Sequence, residues 1–81
     1  KLEQLPDVSL FILRAVLQLG PTRVEPVAQA TRLLPEEVLQ DFRFGRAQGF
    51  YEDQSGRVRI AWPWLRAVTR LLARRHLLVN L

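Results

Sequence analysis

Glycine and proline punctuate this chain so closely that no long helix or strand fits between them. Gly20-Pro21, Pro26, Pro35, Gly49, Gly56 and Pro63 cut it into segments of a few turns each. Proline lacks the amide hydrogen that a helix interior needs but loses nothing in a first turn. Glycine takes the left-handed conformation that ends a helix at no steric cost. Between these marks the spacing of apolar residues says what each segment is. Leu10, Leu13, Val16 and Leu17 recur at three and four residues, one face of a helix that Asp7 or Ser9 can cap and that stops before Gly20-Pro21. Thr22-Arg23-Val24 reads as a short extended link, and Pro26 marks the first turn of a short second helix through Val27, Ala28 and Ala30, ending near Arg32.

Pro35 marks the first turn of a third helix, where Glu36 and Glu37 complement the positive end of the helix dipole and Gly49 supplies the stop, so it runs from about Pro35 to Gln48. Phe50-Tyr51-Glu52 then reads as a strand, residues 53–56 as a turn, and Arg57-Val58-Arg59-Ile60-Ala61 as a second strand with Val58 and Ile60 alternating against arginines. From Pro63 to about Leu77 the helical pattern returns. Leu65, Val68, Leu71 and Leu72 share one face, and Arg66, Arg70 and Arg74, four residues apart, share another. The expected class is mainly α with a small β-hairpin. The 81 residues form a single unit with a core over 8–61 and a C-terminal helix over 63–77, without internal repeat or low-complexity tract.

A chain of this length builds one core and buries about 60% of the surface its unfolded form exposes. It has no cysteine and a single histidine, His76, so a disulfide framework and a thiolate or histidine metal site are not expected. The longest apolar run, residues 10–13, is far short of a membrane span, and no signal-peptide pattern opens the sequence, so a cytoplasmic setting is expected and a membrane partner is not. Lys1 in first place suggests a piece of a longer protein, and eleven arginines to one lysine suggest a GC-rich, bacterial genome. The net charge of +4 hides an asymmetry: residues 1–53 carry six basic and eight acidic side chains, whereas residues 54–81 carry six arginines and no acid.

Three helices followed by a hairpin resemble the winged helix-turn-helix superfamily over roughly residues 8–61. The stretch VEPVAQATRLLPEEVLQDFRFGRAQGFYEDQSGRVRI looks like its second helix, turn, recognition helix and wing. Ala28 matches the small residue that packs under the third helix, Val38 and Phe42 its apolar pair, and Gly49-Phe50 the step that closes it. Gly45 departs from the pattern, standing where a large apolar residue is usual. It weakens the helix by roughly 1 kcal/mol relative to alanine and implies close approach by another element, such as a tryptophan of the fourth helix or the ring of Phe44. The resemblance implies a three-helix core, a wing and an added C-terminal helix, and a function either in DNA binding or in protein docking.

In the DNA-reading members the first two turns of the third helix enter the major groove. Gln40 and Arg43 suit base edges, but Glu36, Glu37 and Asp41 would oppose phosphates, so base reading is disfavoured. The glutamates are also explained by the helix dipole alone. Arg57 and Arg59 leave one face of the wing strand and, with Arg46, can grip a phosphate backbone; charge on an edge strand equally serves to block strand addition. Arg66, Arg70 and Arg74 form a stripe that suits phosphates or an acidic partner, and a merely solvated face would be expected to mix in acids.

The leading expectation is therefore a noncatalytic module binding duplex DNA with weak sequence preference through Arg43, Arg46, Arg57, Arg59, Arg66, Arg70 and Arg74. The alternative is a protein-interaction module, or a homodimer through the fourth helix, using Leu39, Phe44 and whichever of Trp62 and Trp64 does not face the core. Neither needs a cofactor or a small-molecule substrate. No nucleophile–base pair, glycine-rich phosphate loop or carboxylate pair points to an enzyme.

Overall fold

The computed structural model describes residues 2–77; Lys1 and residues 78–81 of the expected unit lie outside the described residues. A short 3-10 turn, Leu2–Gln4, leads into α1 (Asp7–Leu19), α2 (Val24–Thr31), α3 (Pro35–Gln48), strands β1 (Tyr51–Gln54) and β2 (Arg57–Ile60), a second 3-10 turn at Trp62–Trp64, and α4 (Leu65–Arg74). The chain is mainly helical with one antiparallel hairpin, and no described helix is long and apolar enough to cross a membrane.

The apolar periodicities close on one core. Leu10, Leu13 and Val16 of α1 are buried together with Ile12 and Ala15, a wider face than the spacing alone suggests, while Leu17 stays half-buried. Val27 and Ala28 of α2, Val38 and Phe42 of α3, Val58 and Ile60 of β2, and Val68, Leu71 and Leu72 of α4 complete it. Leu65 is only half-buried.

Three helix ends share a device that glycine announces at only one of them. Gly49 ends α3 in the left-handed conformation (φ 85°), and Phe50 N–H donates back to the Gly45 carbonyl at 2.8 Å. Arg32 (φ 61°) ends α2 the same way, with Leu33 N–H bonded to Ala28 O at 3.2 Å, and His76 (φ 59°) follows α4 with Leu77 N–H on Leu72 O at 2.8 Å. Arginine and histidine here take a conformation that glycine takes freely.

Several local expectations are corrected, among them the bounds of the fourth helix, which begins at Leu65 after the 3-10 turn and not at Pro63, and ends at Arg74, short of Leu77. Neither Asp7 nor Ser9 caps α1: Pro6 stands at the cap position with no side-chain bond, and Ser9, inside the helix, donates to Asp41 instead. Val24 begins α2, so the extended link shrinks to Thr22 and Arg23; Thr22 forms an antiparallel bridge with Val58, exchanging N–H···O bonds of 2.8 and 2.7 Å. The hairpin turn is Ser55-Gly56 alone, both at positive φ (53° and 80°), as a tight two-residue turn between right-twisted strands requires. Strand β1 therefore runs on to Gln54, and Glu52 stands opposite Arg59 and Asp53 opposite Val58.

The close approach at Gly45 comes from neither a tryptophan nor Phe44. A Cβ on Gly45 would overlap the ring of Tyr51, which is itself buried and meets Phe42 edge-on at 5.3 Å between centroids. Trp64 instead packs edge-on against Phe50 at 4.8 Å.

Candidate functional site

The outer side of α3 begins with Glu36 and Glu37, both exposed. Glu37 turns back to accept the Leu34 N–H at 3.0 Å, satisfying an amide that the helix start would otherwise leave without a partner. Asp41 does not face outward as a phosphate-opposing charge: its carboxylate accepts from Ser9 Oγ at 2.6 Å and, more weakly, from Tyr51 Oη at 3.4 Å. This tie joins α1, α3 and β1. Burial raises the Asp41 carboxyl above the usual carboxylate range, against the two hydrogen bonds that lower it. Burial, and then the charge of Asp41, hold the Tyr51 phenol well above its ordinary range. Among the described residues no buried side-chain nitrogen or oxygen lacks a partner, so nothing inside the core waits for a ligand.

The seven arginines of interest divide by what they already hold. Arg46 Nε donates to Asp53 at 3.0 Å, Arg59 donates through Nε and Nη2 to Glu52 at 3.1 and 2.8 Å, and Arg74 reaches Glu3 at 3.3 Å. Arg43, Arg57, Arg66 and Arg70 are exposed and form no ion pair among the described residues. On the hairpin, Arg57 is thus open, while Arg59 is half-buried and held by the strand opposite. On α4, Arg66 and Arg70 are open, while Arg74, with Arg75 donating to the Glu3 carbonyl, is engaged by the N-terminal turn.

The four apolar candidates do not form one patch. Leu39 is 37% and Phe44 48% exposed, but five residues turn a helix by about 140° net, so they leave α3 in different directions. Phe44 lines a hollow with Pro6, Val8 and Gln40 at the start of α1. Trp64 is half-buried against Phe50, whereas Trp62, 71% exposed, lines a groove of about 500 Å³ with Leu65, Arg66, Thr69 and Arg70.

Trp62 is exposed but not loose. Ala61 N–H bonds to Phe50 O at 2.7 Å, Trp64 N–H to Ala61 O at 2.9 Å, and the Glu52 oxygen that holds Arg59 also lies 3.4 Å from the Trp62 amide. The backbone is fixed on both sides of an indole that folding leaves in water. Comparison of the chain with protein-family models, with curated proteins and with solved structures finds no match. Function has to be argued from these side chains.

Sequence reasoning misses the Ser9–Asp41–Tyr51 tie, although a helical wheel contains its signal. Asp41 stands one turn before Gly45 on the same side of α3, next to the buried arc.

Proposed function

We propose that the chain is a noncatalytic winged-helix module of a larger protein, and that it binds duplex DNA through phosphate contacts with little base reading. The observation that carries this is the distribution of unpaired charge. Glu3, Glu52 and Asp53 neutralise Arg74, Arg59 and Arg46, while Arg57, Arg66 and Arg70 stay open in a stretch without any acid. Arg43 adds one open cation on α3, about two turns beyond the glutamates whose charge disfavours close approach of the helix start to phosphates. The winged-helix assignment is supported by the element order and by the Thr22–Val58 bridge, which lays the link before α2 along the hairpin as a third strand position.

Titration with duplex DNA over a series of salt concentrations tests it. Each released counterion contributes about 0.9 to the slope of log affinity against log salt, so replacing Arg57, Arg66 and Arg70 together by alanine lowers the slope by nearly 3. Absence of binding at low salt, or a slope that the triple variant leaves unchanged, refutes the proposal.

A protein-docking function has its own supporting observation in the half-exposed Phe44 and Val8 beside the hollow at Pro6. It is favoured if charge reversal on α4 leaves the binding of a partner intact while Phe44→Ala abolishes it.

A further inference from the structure

Trp62 borders two grooves. On one side lie Arg66, Thr69 and Arg70 of α4. On the other lie Val16, Leu17, Gly20 and Pro21 at the end of α1, with Arg59, Ile60 and Leu65, the last of which also lines the first groove. An indole left 71% exposed by folding, on a backbone held by the Phe50, Ala61 and Glu52 bonds, is a flat surface with the open Arg66 and Arg70 on one side and a mainly apolar trough, with Arg59 held by Glu52 at its edge, on the other. Duplex DNA makes no use of such a surface, because its bases are stacked on one another and only phosphates and groove edges are within reach. A nucleotide outside a duplex makes use of all of it: the base has a free face for the indole, its edge has an apolar trough, and its phosphates have two arginines. Arg66 and Arg70 are one helical turn apart, about 6 Å along the axis, on the order of one nucleotide step of an extended strand. Glu3 shares the next groove along α4 with Arg70, but its carboxylate is held by Arg74 at 3.3 Å, and neither Arg66 nor Arg70 forms an ion pair with it.

We infer that Trp62 is a stacking platform for an unpaired base, with Arg66 and Arg70 on the flanking phosphates, so that the preferred ligand is a duplex carrying a single-stranded segment. This rests on the DNA-binding function proposed above and specifies which DNA.

The test is a titration at low salt with a blunt duplex and with the same duplex bearing a short oligo-dT overhang, with affinity read from the fluorescence anisotropy of labelled DNA and stacking from tryptophan emission of the parent chain. The overhang should tighten binding about tenfold and quench the emission, since stacking of one base contributes that much. Trp62→Ala should abolish the gain while leaving blunt-duplex affinity within about twofold. Trp62→Phe, which keeps a ring, should retain most of it. Because the side chain is mostly in solvent, both variants should keep the parent melting temperature. If blunt and tailed duplexes bind equally, or if the gain survives Trp62→Ala, stacking is refuted and phosphate binding stands. If neither DNA binds, both proposals fall.

Discussion

The two halves of this molecule use their polar side chains in opposite ways. In the first, from α1 to the start of the hairpin, acids and hydroxyls serve the fold: Glu37 satisfies the Leu34 amide, Asp41 joins Ser9 to Tyr51, and Asp53 holds Arg46. In the second, from the turn to the end of α4, the side chains of Arg57, Arg66, Arg70 and Trp62 form no ion pair or hydrogen bond among the described residues, while Arg59 and Arg74 are held by acids of the first. A side chain engaged in folding has its partner already, and one left open at the cost of solvent exposure or repulsion is available to something else. Substitution of the engaged side chains should therefore change stability and spare binding, and substitution of the open ones, Arg43 of the first half included, should do the reverse.

The sharpest way to break that division is Gly45→Ala. Alanine gains about 1 kcal/mol of helix propensity, but its Cβ overlaps a Tyr51 ring that Phe42 prevents from swinging away. Overpacking on the order of 3 kcal/mol leaves a net loss of about 2 kcal/mol, measurable by urea denaturation. A variant as stable as the parent would mean that the ring can move and that α3 is not locked to β1. Next in size is a contrast between two pairs of arginines. Replacing Arg66 and Arg70 by alanine should weaken duplex binding about tenfold or more and lower the salt slope by nearly 2. Replacing Arg46 and Arg59 should have the smaller effect on binding and remove two half-exposed ion pairs that contribute at most about 1 kcal/mol each to stability. Equal binding losses from the two pairs would erase the distinction between engaged and open charge.

How much of this was legible depended on range. Proline and glycine act on their own backbone, so α1, α3 and the hairpin fall within a few residues of where local chemistry places them. Apolar spacing likewise marks Val38, Phe42, Val68, Leu71 and Leu72 as core. Pairing depends on register. A four-residue turn at 53–56 would set Glu52 against Arg57, whereas the two-residue turn sets it against Arg59, and that slip decides which hairpin arginine is open. The Tyr51–Gly45 contact and the hold of Glu3 on Arg74 join residues that no local rule connects. Of the site, the stripe on α4 was legible by spacing; that Arg66 and Arg70 of it are the ones without an ion pair among the described residues was not. Trp62 and Trp64 could be distinguished only by the packing of Phe50 on one of them.

Arg32 offers a smaller test from the first half. It is exposed and carries a left-handed backbone that glycine adopts without strain, so Arg32→Gly should stabilise the chain by about 1 kcal/mol in thermal unfolding. The same substitution removes one exposed positive charge at the end of α2, and duplex affinity should stay within about twofold. A larger loss of affinity would extend the binding surface to the end of α2.

The smallest expected effect comes from Asp41, and its sign discriminates between two roles for the acids of α3. Burial raises its carboxyl above the ordinary 3.8, so the folded chain prefers the protonated form. The stability this contributes is fully present below the unfolded value and is lost as pH rises through the raised folded value. The Asp41→Asn variant keeps an acceptor for Ser9 and carries no charge at that position at any pH. Its melting temperature should therefore gain on the parent's as pH is raised from acid toward neutrality. The opposite trend would mean that the Ser9 and Tyr51 hydrogen bonds outweigh burial. Duplex affinity of the variant should match the parent, because the carboxylate points into the α1–α3 junction. Were Asp41 instead opposing phosphates, removing its charge would tighten binding, and the first turns of α3 would have to be counted among the surfaces that DNA approaches.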